Sequence, residues 1–315
     1  MEPAIVQEVA GRLKANIGQV IVGKEDVIEL ALVSLLCEGH LLIEDVPGIG
    51  KTTLAKALAR SLDCTFGRIQ FTPDLLPSDV TGISFFNQRT QSFEFRAGPI
   101  LSQIVLADEI NRATPRTQSA LLEAMQERQI TVDGQTYPLP RPFMVLATQN
   151  PIELEGTFPL PEAQVDRFLM RLALGYPDQA QENQMLLRFE HEDVLDTLAP
   201  VAHAGDVLEL QKAVRFVRVE ESVRDYLVRV VRATREHPAV ELGVSPRGTL
   251  ALYRATQALA AIRGRPFVIP DDIKQLAPHV LTHRIMISQR VRLRGRTPAQ
   301  VVREIVSEVP VPVEG

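Results

Sequence analysis

The stretch IEDVPGIGKTTLAKAL, residues 43–58, runs from an apolar segment through a glycine-rich bend into a segment rich in Ala and Leu. That order narrows the fold more than anything else in the chain. It is the layout of a loop that wraps phosphate: backbone N–H groups curve around the anion and a helix N-terminus faces it. The usual spacing is G-x-x-x-x-G-K-[ST]. Gly50, Lys51 and Thr52 fill the last three places, but Asp45 stands where the first glycine belongs. Asp tolerates turn and left-handed conformations, so the backbone path is expected to survive if the carboxylate points away from the phosphate. In this reading Gly48 and Gly50 give the bend its freedom, Lys51 reaches the β- and γ-phosphates, and Thr52 ligates Mg²⁺. The plainer alternative is a strand-to-helix turn with no ligand.

The surrounding sequence extends the strand–helix alternation. Residues 40–45 (HLLIED), 64–71 (CTFGRIQF), 103–109 (QIVLADE) and 143–150 (FMVLATQN) read as strands, and residues 4–18, 24–38, 52–61 and 114–129 as helices. Alternation of this kind predicts an α/β fold with a parallel sheet covered on both faces. Two segments interrupt it. Residues 82–98 carry two aromatic runs around a polar turn, and residues 130–139 carry Asp133-Gly134, a strong hairpin signal. Both read as inserted β-hairpins. Beyond Tyr176-Pro177-Asp178 helical periodicity dominates, as at 223–234 and 247–262. The expected organisation is an α/β nucleotide-binding core over 1–177 and a smaller α-helical domain over 178–315.

Composition limits the partners. The net charge of -5 across 315 residues argues against a globally basic nucleic-acid binder. Cys37 and Cys64 lie in apolar or strand-like runs and read as buried free thiols. No apolar run approaches the roughly 18 residues of a membrane span, and the first residues lack a signal-peptide core. A cytoplasmic protein is the simplest expectation.

Other residues fit the same chemistry. In IVLADE, Asp108 and Glu109 end an apolar strand; Asp108 suits a Mg²⁺-holding acid and Glu109 a base that polarises an attacking water. Asn150 ends the next strand, where a polar group can position that water. Arg167 precedes Phe168 in a loop leaving the sheet, Arg171 follows closely, and Arg247 opens a helix in the second domain. Arginines so placed can stabilise developing phosphoryl charge. His279 and His283 stand four apart, on one face of a helix, without a third ligand. Arg290, Arg292, Arg294 and Arg296 alternate, which predicts one face of an extended segment. Phe85, Phe86, Phe93 and Phe95 either pack their hairpin on itself or grip a partner.

The order of these motifs resembles the AAA+ ATPases. LLIEDVPGIGKT, LADEINRATPRTQSALLEAMQE, ATQNP, LPEAQVDRF and SPRGTLAL resemble the MoxR family over nearly the whole chain. The resemblance implies a phosphate loop formed by Pro47, Gly48, Ile49, Gly50, Lys51, Thr52 and Thr53, with Val22 and Gly23 against adenine. Thr52 and Asp108 would hold Mg²⁺, Glu109 would activate water, and Asn150 would be the first sensor. Arg167 resembles the finger that enters a neighbouring subunit's site, with Arg112 and Arg171 as other candidates, and Arg247 resembles the second sensor. An acidic residue at Asp45 is familiar in such loops. ATP and Mg²⁺ are the implied cofactors. The assembly would be a homo-oligomer, a hexameric ring, with chaperone-like work on partner proteins. Those partners would include proteins with a von Willebrand factor A domain, and metal insertion is one candidate task. The alternatives are a nucleic-acid motor, a magnesium-chelatase-like subunit and a nucleotide-gated scaffold.

Overall fold

The structure is a computed structural model describing residues 3–151, 156–188, 190 and 194–312. Helices α1 (Pro3–Gly18) and α2 (Glu25–Leu36) precede β1 (Leu41–Glu44), whose Leu41, Leu42 and Ile43 are wholly buried. The loop 45–50 leads into α3 (Lys51–Ser61), followed by β2 (Phe66–Gln70) and the short α4 (Pro77–Thr81). A hairpin of β3 (Gly82–Asn87) and β4 (Ser92–Ala97) comes next, then β5 (Ile104–Asp108) and α5 (Pro115–Glu127). A second hairpin, β6 (Gln129–Val132) and β7 (Gln135–Pro138), precedes β8 (Met144–Gln149), α6 (Glu162–Val165) and β9 (Met170–Leu172).

Five strands pair in parallel in the order β2-β5-β8-β1-β9. Successive side chains of a strand face opposite ways. Leu41, Ile43, Ile104, Leu106, Met144 and Leu146 therefore enter one core, with α1, α2 and α3. Leu42, Val105, Ala107, Val145 and Ala147 enter the other, with Leu121, Leu122 and Met125 of α5. Both faces are covered, as expected of a parallel sheet. The edge strand β9 comes from a segment read in sequence as loop; its three residues pair with β1 from Leu41↔Met170 to Ile43↔Leu172.

The hairpins stand outside this sheet. Asp133 (φ 49°) and Gly134 (φ 79°) are both left-handed, the requirement of a two-residue type I′ turn. Phe86 and Phe93 pair across β3 and β4, with ring centroids 5.4 Å apart. Phe95 stacks on Tyr137 at 4.1 Å, so the two hairpins touch through these rings.

After β9 the chain forms α7 (Gln179–Arg188), α8 (Val194–Thr197), α9 (Ala204–Ala213) and α10 (Glu221–Glu236). Then follow β10 (Val240–Leu242), α11 (Pro246–Ile262), α12 (Pro270–Leu281), β11 (Met286–Ile287), α13 (Gln289–Leu293) and α14 (Pro298–Glu308). The one sheet among these described residues is the small antiparallel pair β10–β11. The hydrophobic cluster under α1 and α2 continues without a break into α10, α11 and α12. Charge reinforces the joint. Glu29 of α2 accepts from Lys14 at 3.0 Å and Arg263 at 2.8 Å, and buried Asp272 takes Arg265 at 2.6 Å.

Two local expectations are corrected. Arg290 and Arg292 lie in α13, a short helix ended by Gly295 at φ 79°, so the alternation does not align the four arginines on one extended face. Arg296 is tied to Glu304 of α14. His279 belongs to α12, but His283 falls in a separate 3-10 turn, where its Nε2 meets the Phe168 carbonyl at 3.0 Å.

Candidate functional site

Sheet order builds the site. Strands β5, β8 and β1 are neighbours, so Asp108 and Glu109, Asn150, and the loop 45–50 emerge side by side at one edge, where open α/β sheets bind ligands. A cleft of about 840 Å³ opens there, lined by Val20, Ile21 and Val22, the loop from Pro47 to Thr53, Arg68, Asp108, Glu109, Asn150 and the segment Leu174–Pro177.

Gly50, at φ 93°, caps α3, and Gly48 sits at φ 82°. A Cβ at either would meet nothing within 4 Å, so the left-handed backbone rather than crowding demands glycine. The concave side of the loop is open, as a phosphate cradle must be. Asp45 answers the question its position raises. Its Oδ2 accepts from the Gly175 N–H at 2.7 Å and its Oδ1 from the Val46 N–H at 2.9 Å. The carboxylate is thus turned away from the cradle, tying the exit of β1 to the chain after β9.

Lys51 Nζ donates to the Asp45 carbonyl at 2.7 Å. Burial lowers its pKa, while Asp108, Asp45 and Glu109 pull the other way. Asp108 accepts from Thr148 Oγ1 at 2.7 Å on Oδ1 and from Arg68 at 2.7 Å on Oδ2. Glu109, left-handed at φ 57°, receives Gln70 Nε2 at 2.9 Å and Arg112 Nε at 3.3 Å, both on Oε2. Its own N–H donates to Thr148 Oγ1 at 2.8 Å, so one threonine orients both acids. Asn150 is buried beside them. Arg68 and Gln70 carried no motif signal, and Thr148 lay within ATQNP without a role assigned to it; the β2–β5 register, Gln70↔Asp108, brings the first two here.

On the base side, Val20–Val22 are buried and Gly23 is left-handed at φ 68°. A Cβ on Gly23 would fall 2.3 Å from Gln181, whose Nε2 donates to the Gly23 carbonyl at 3.2 Å. Lys24 Nζ donates to the Tyr176 carbonyl at 2.9 Å, closing the segment against the start of α7.

The arginines separate. Arg171, on β9, pairs with Glu44 at 2.9 Å and Arg112 pairs with Glu109. Among the described residues Arg167 and Arg247 form no ion pair, and they line a different groove of about 340 Å³, with Arg254, Leu250 and Cys37. That groove shares no lining residue with the phosphate cleft. Its carboxylates are already engaged: Asp166 with buried Arg284 at 2.8 Å, and Glu38 with Arg215. The Cys37 thiol there is pushed up to about 12 by burial, and Cys37 and Cys64 are both free.

A parallel sheet with a phosphate loop, paired acids on the next-but-one strand and an appended helical unit define an AAA+ ATPase. Residues 40–170 match the model of the ATPase family associated with various cellular activities, and residues 232–305 match the AAA lid domain. The chain is 53% identical to YeaC of Bacillus subtilis (strain 168), covering 96% of this chain and 95% of that one. It is 41% identical to Chaperone MoxR1 of Mycobacterium tuberculosis, covering 94% and 81%. A solved structure from Cytophaga hutchinsonii superposes with a TM-score of 0.92 at 38% identity, covering 99% and 97%. The chain belongs to the MoxR family of AAA+ ATPases.

Proposed function

We propose that this chain is an ATP hydrolase whose site is completed by a neighbouring copy in a homo-oligomeric, hexameric ring. One observation carries the reading. The cleft holds Lys51, Asp108 and Glu109, while Arg167 and Arg247, without carboxylate partners among the described residues, line a separate groove of the same chain. A cation pair that cannot serve its own phosphate loop is placed to serve the next one.

Thr52 and Asp108 fit Mg²⁺, since an acid steadied by Thr148 lies across the open cradle from the start of α3. When bound, the metal neutralises charge at the phosphate oxygens. Lys51 leaves the Asp45 carbonyl for the β- and γ-phosphates, and Val22 and Gly23 border the base. Glu109 accepts a proton from the attacking water, which Asn150 orients. Arg167 of the adjacent copy stabilises charge developing on the transferred group, and Arg247 reports its presence to the helical unit, residues 178–315. Residues 1–177 supply the phosphate loop, both acids and Asn150.

The work done with this turnover is remodelling of a partner protein. Phe85, Phe86 and Phe93 are 40%, 47% and 76% exposed on the first hairpin, and apolar rings suit contact with a polypeptide. The net charge of -5 weighs against a nucleic-acid motor. Partners with a von Willebrand factor A domain, metal insertion into them and a cytoplasmic setting follow from the family resemblance. No helix among the described residues is long and apolar enough to cross a membrane.

Lys51→Ala abolishes ATP binding in this account, whereas Arg167→Ala binds ATP and loses turnover by roughly a thousandfold. Mixing the two variants restores part of the activity, because hybrid interfaces pair an intact loop with an intact finger. A mixture that co-assembles yet stays inactive removes Arg167 from the role.

A further inference from the structure

We propose that Asp166, gripped by Arg284 and Ser245, is a positioning residue that holds Arg167 and Arg247 as one unit, so that both cations reach a neighbouring copy's phosphate site together. The proposal rests on the reading that these two arginines serve the adjacent copy.

Three segments far apart in sequence meet at one carboxylate. Asp166 ends α6 and directly precedes Arg167. Its Oδ1 accepts from Arg284 Nε at 2.8 Å and its Oδ2 from Ser245 Oγ at 3.2 Å. On the Arg284 side the grip extends along the backbone. Arg284 Nη2 donates to the Asp166 carbonyl at 3.3 Å and the Phe168 carbonyl at 2.6 Å, and Nη1 to the Leu169 carbonyl at 3.0 Å. Carbonyls on both sides of Arg167 thus hang on one buried guanidinium, whose planar fork leaves them little play.

On the Ser245 side the same carboxylate reaches α11. Ser245 is the N-cap of that helix, accepting from the Gly248 N–H at 3.4 Å, and Arg247 lies in the first turn. A serine hydroxyl donates one proton and accepts on its lone pairs, so it holds Asp166 and caps the helix at once. Gly248 closes the joint. A Cβ there would fall 2.8 Å from Arg284 Cδ, so the first turn of α11 rests directly on the arginine stem. Asp166, Arg167, Arg247 and Arg284 line the same groove of about 340 Å³. Burial lowers the Arg284 pKa to about 10, Asp166 opposes the shift, and Arg247 is near enough to add to it. Arg167 and Arg247 carry like charge on long stems and would part if their backbones were free. The clamp sets the separation of the two backbones instead. Asp166 acts only through them, and the charge they stabilise is sensitive to position.

The test combines ATP affinity, turnover and subunit mixing on the full chain. Asp166→Asn keeps the shape and removes the charge that Arg284 grips. It binds ATP as tightly as the unaltered chain, and turnover falls by about ten- to a hundredfold, the cost of misplacing a catalytic group by up to about 1 Å. Mixing it with Lys51→Ala restores part of the activity, because Lys51→Ala copies present intact arginines to intact loops. Mixing it with Arg167→Ala restores none, because neither copy presents a well-placed pair. Ser245→Gly covers the case in which Asp166→Asn fails to fold. Glycine caps a helix nearly as well as serine, so Tm holds while turnover falls, and Ser245→Thr, which keeps the hydroxyl, regains it. Unaltered turnover in folded Asp166→Asn or in Ser245→Gly overturns the proposal. So does a defect in Asp166→Asn that Lys51→Ala leaves unrelieved although the two co-assemble, since the damage then lies in its own cleft. If Arg167→Ala is itself unrelieved by Lys51→Ala, the reading of these arginines as serving the adjacent copy fails instead.

Discussion

Replacing Asp45 by glycine restores the consensus phosphate loop, and a motif-based view expects a better nucleotide site. The structure predicts the opposite balance. The Asp45 carboxylate receives two backbone N–H groups, from Gly175 at 2.7 Å and Val46 at 2.9 Å, and faces away from the cradle. Hydrogen bonds to a charged group are worth about 1.5–3 kcal/mol when buried, so at this half-buried position about 1 kcal/mol each is reasonable. Glycine adds about 0.5–1 kcal/mol through the freedom of the unfolded chain. The total loss is about 2.5–3 kcal/mol, or a fall in Tm of about 4–5 °C for a chain of this size. Nucleotide affinity stays within about threefold, equivalent to less than 1 kcal/mol, because no charge is removed from the phosphate side. Differential scanning calorimetry and equilibrium titration with ATP measure both quantities. ATP binding tightened tenfold or more with an unchanged Tm would refute the argument, since the carboxylate would then have been opposing the phosphate.

Two further outcomes follow from buried groups. Arg284→Met strands Asp166, its partner at 2.8 Å, and breaks the hydrogen bonds to the Phe168 and Leu169 carbonyls; a loss of about 3 kcal/mol in chemical denaturation is expected for one member of a buried pair. His40 is buried neutral, accepting from the Val145 N–H on Nδ1, and burial depresses its pKa to about 3. A depressed histidine stabilises the fold above its unfolded value near 6.5, and that stability is lost progressively as pH falls toward 3. Urea unfolding between pH 6.5 and 5 should steepen by up to about 1.4 kcal/mol per pH unit for this group, and His40→Gln should flatten the slope. His283, depressed in the same direction by burial and Arg284, leaves a residual slope.

The sequence disclosed the parts whose signals are local. Apolar runs at 41–43, 104–107 and 144–147 are buried on both faces, and runs of that kind name their own strands. Asp133-Gly134 names its turn. What it withheld depends on distant contacts. Strand β9 is three residues long and exists because β1 offers it an edge. The direction of the Asp45 carboxylate depends on Gly175, 130 residues away. Arg171 is separated from Arg167 only by Glu44, on another strand. The placement of Arg247 beside Arg167 depends on how the helices dock, which the pair Arg284–Asp166 fixes across 118 residues. Arg68 and Gln70 matched no motif, because their role comes from strand register rather than from spacing within a segment.

The central claim is that this cleft hydrolyses ATP with Glu109 as the base. Single-turnover hydrolysis and ATP affinity, measured side by side for the unaltered chain and Glu109→Gln, test it most directly. The amide keeps the shape and loses the proton acceptor, so ATP is bound as tightly while hydrolysis falls by about a hundredfold or more. Hydrolysis by Glu109→Gln at the unaltered rate would contradict the account.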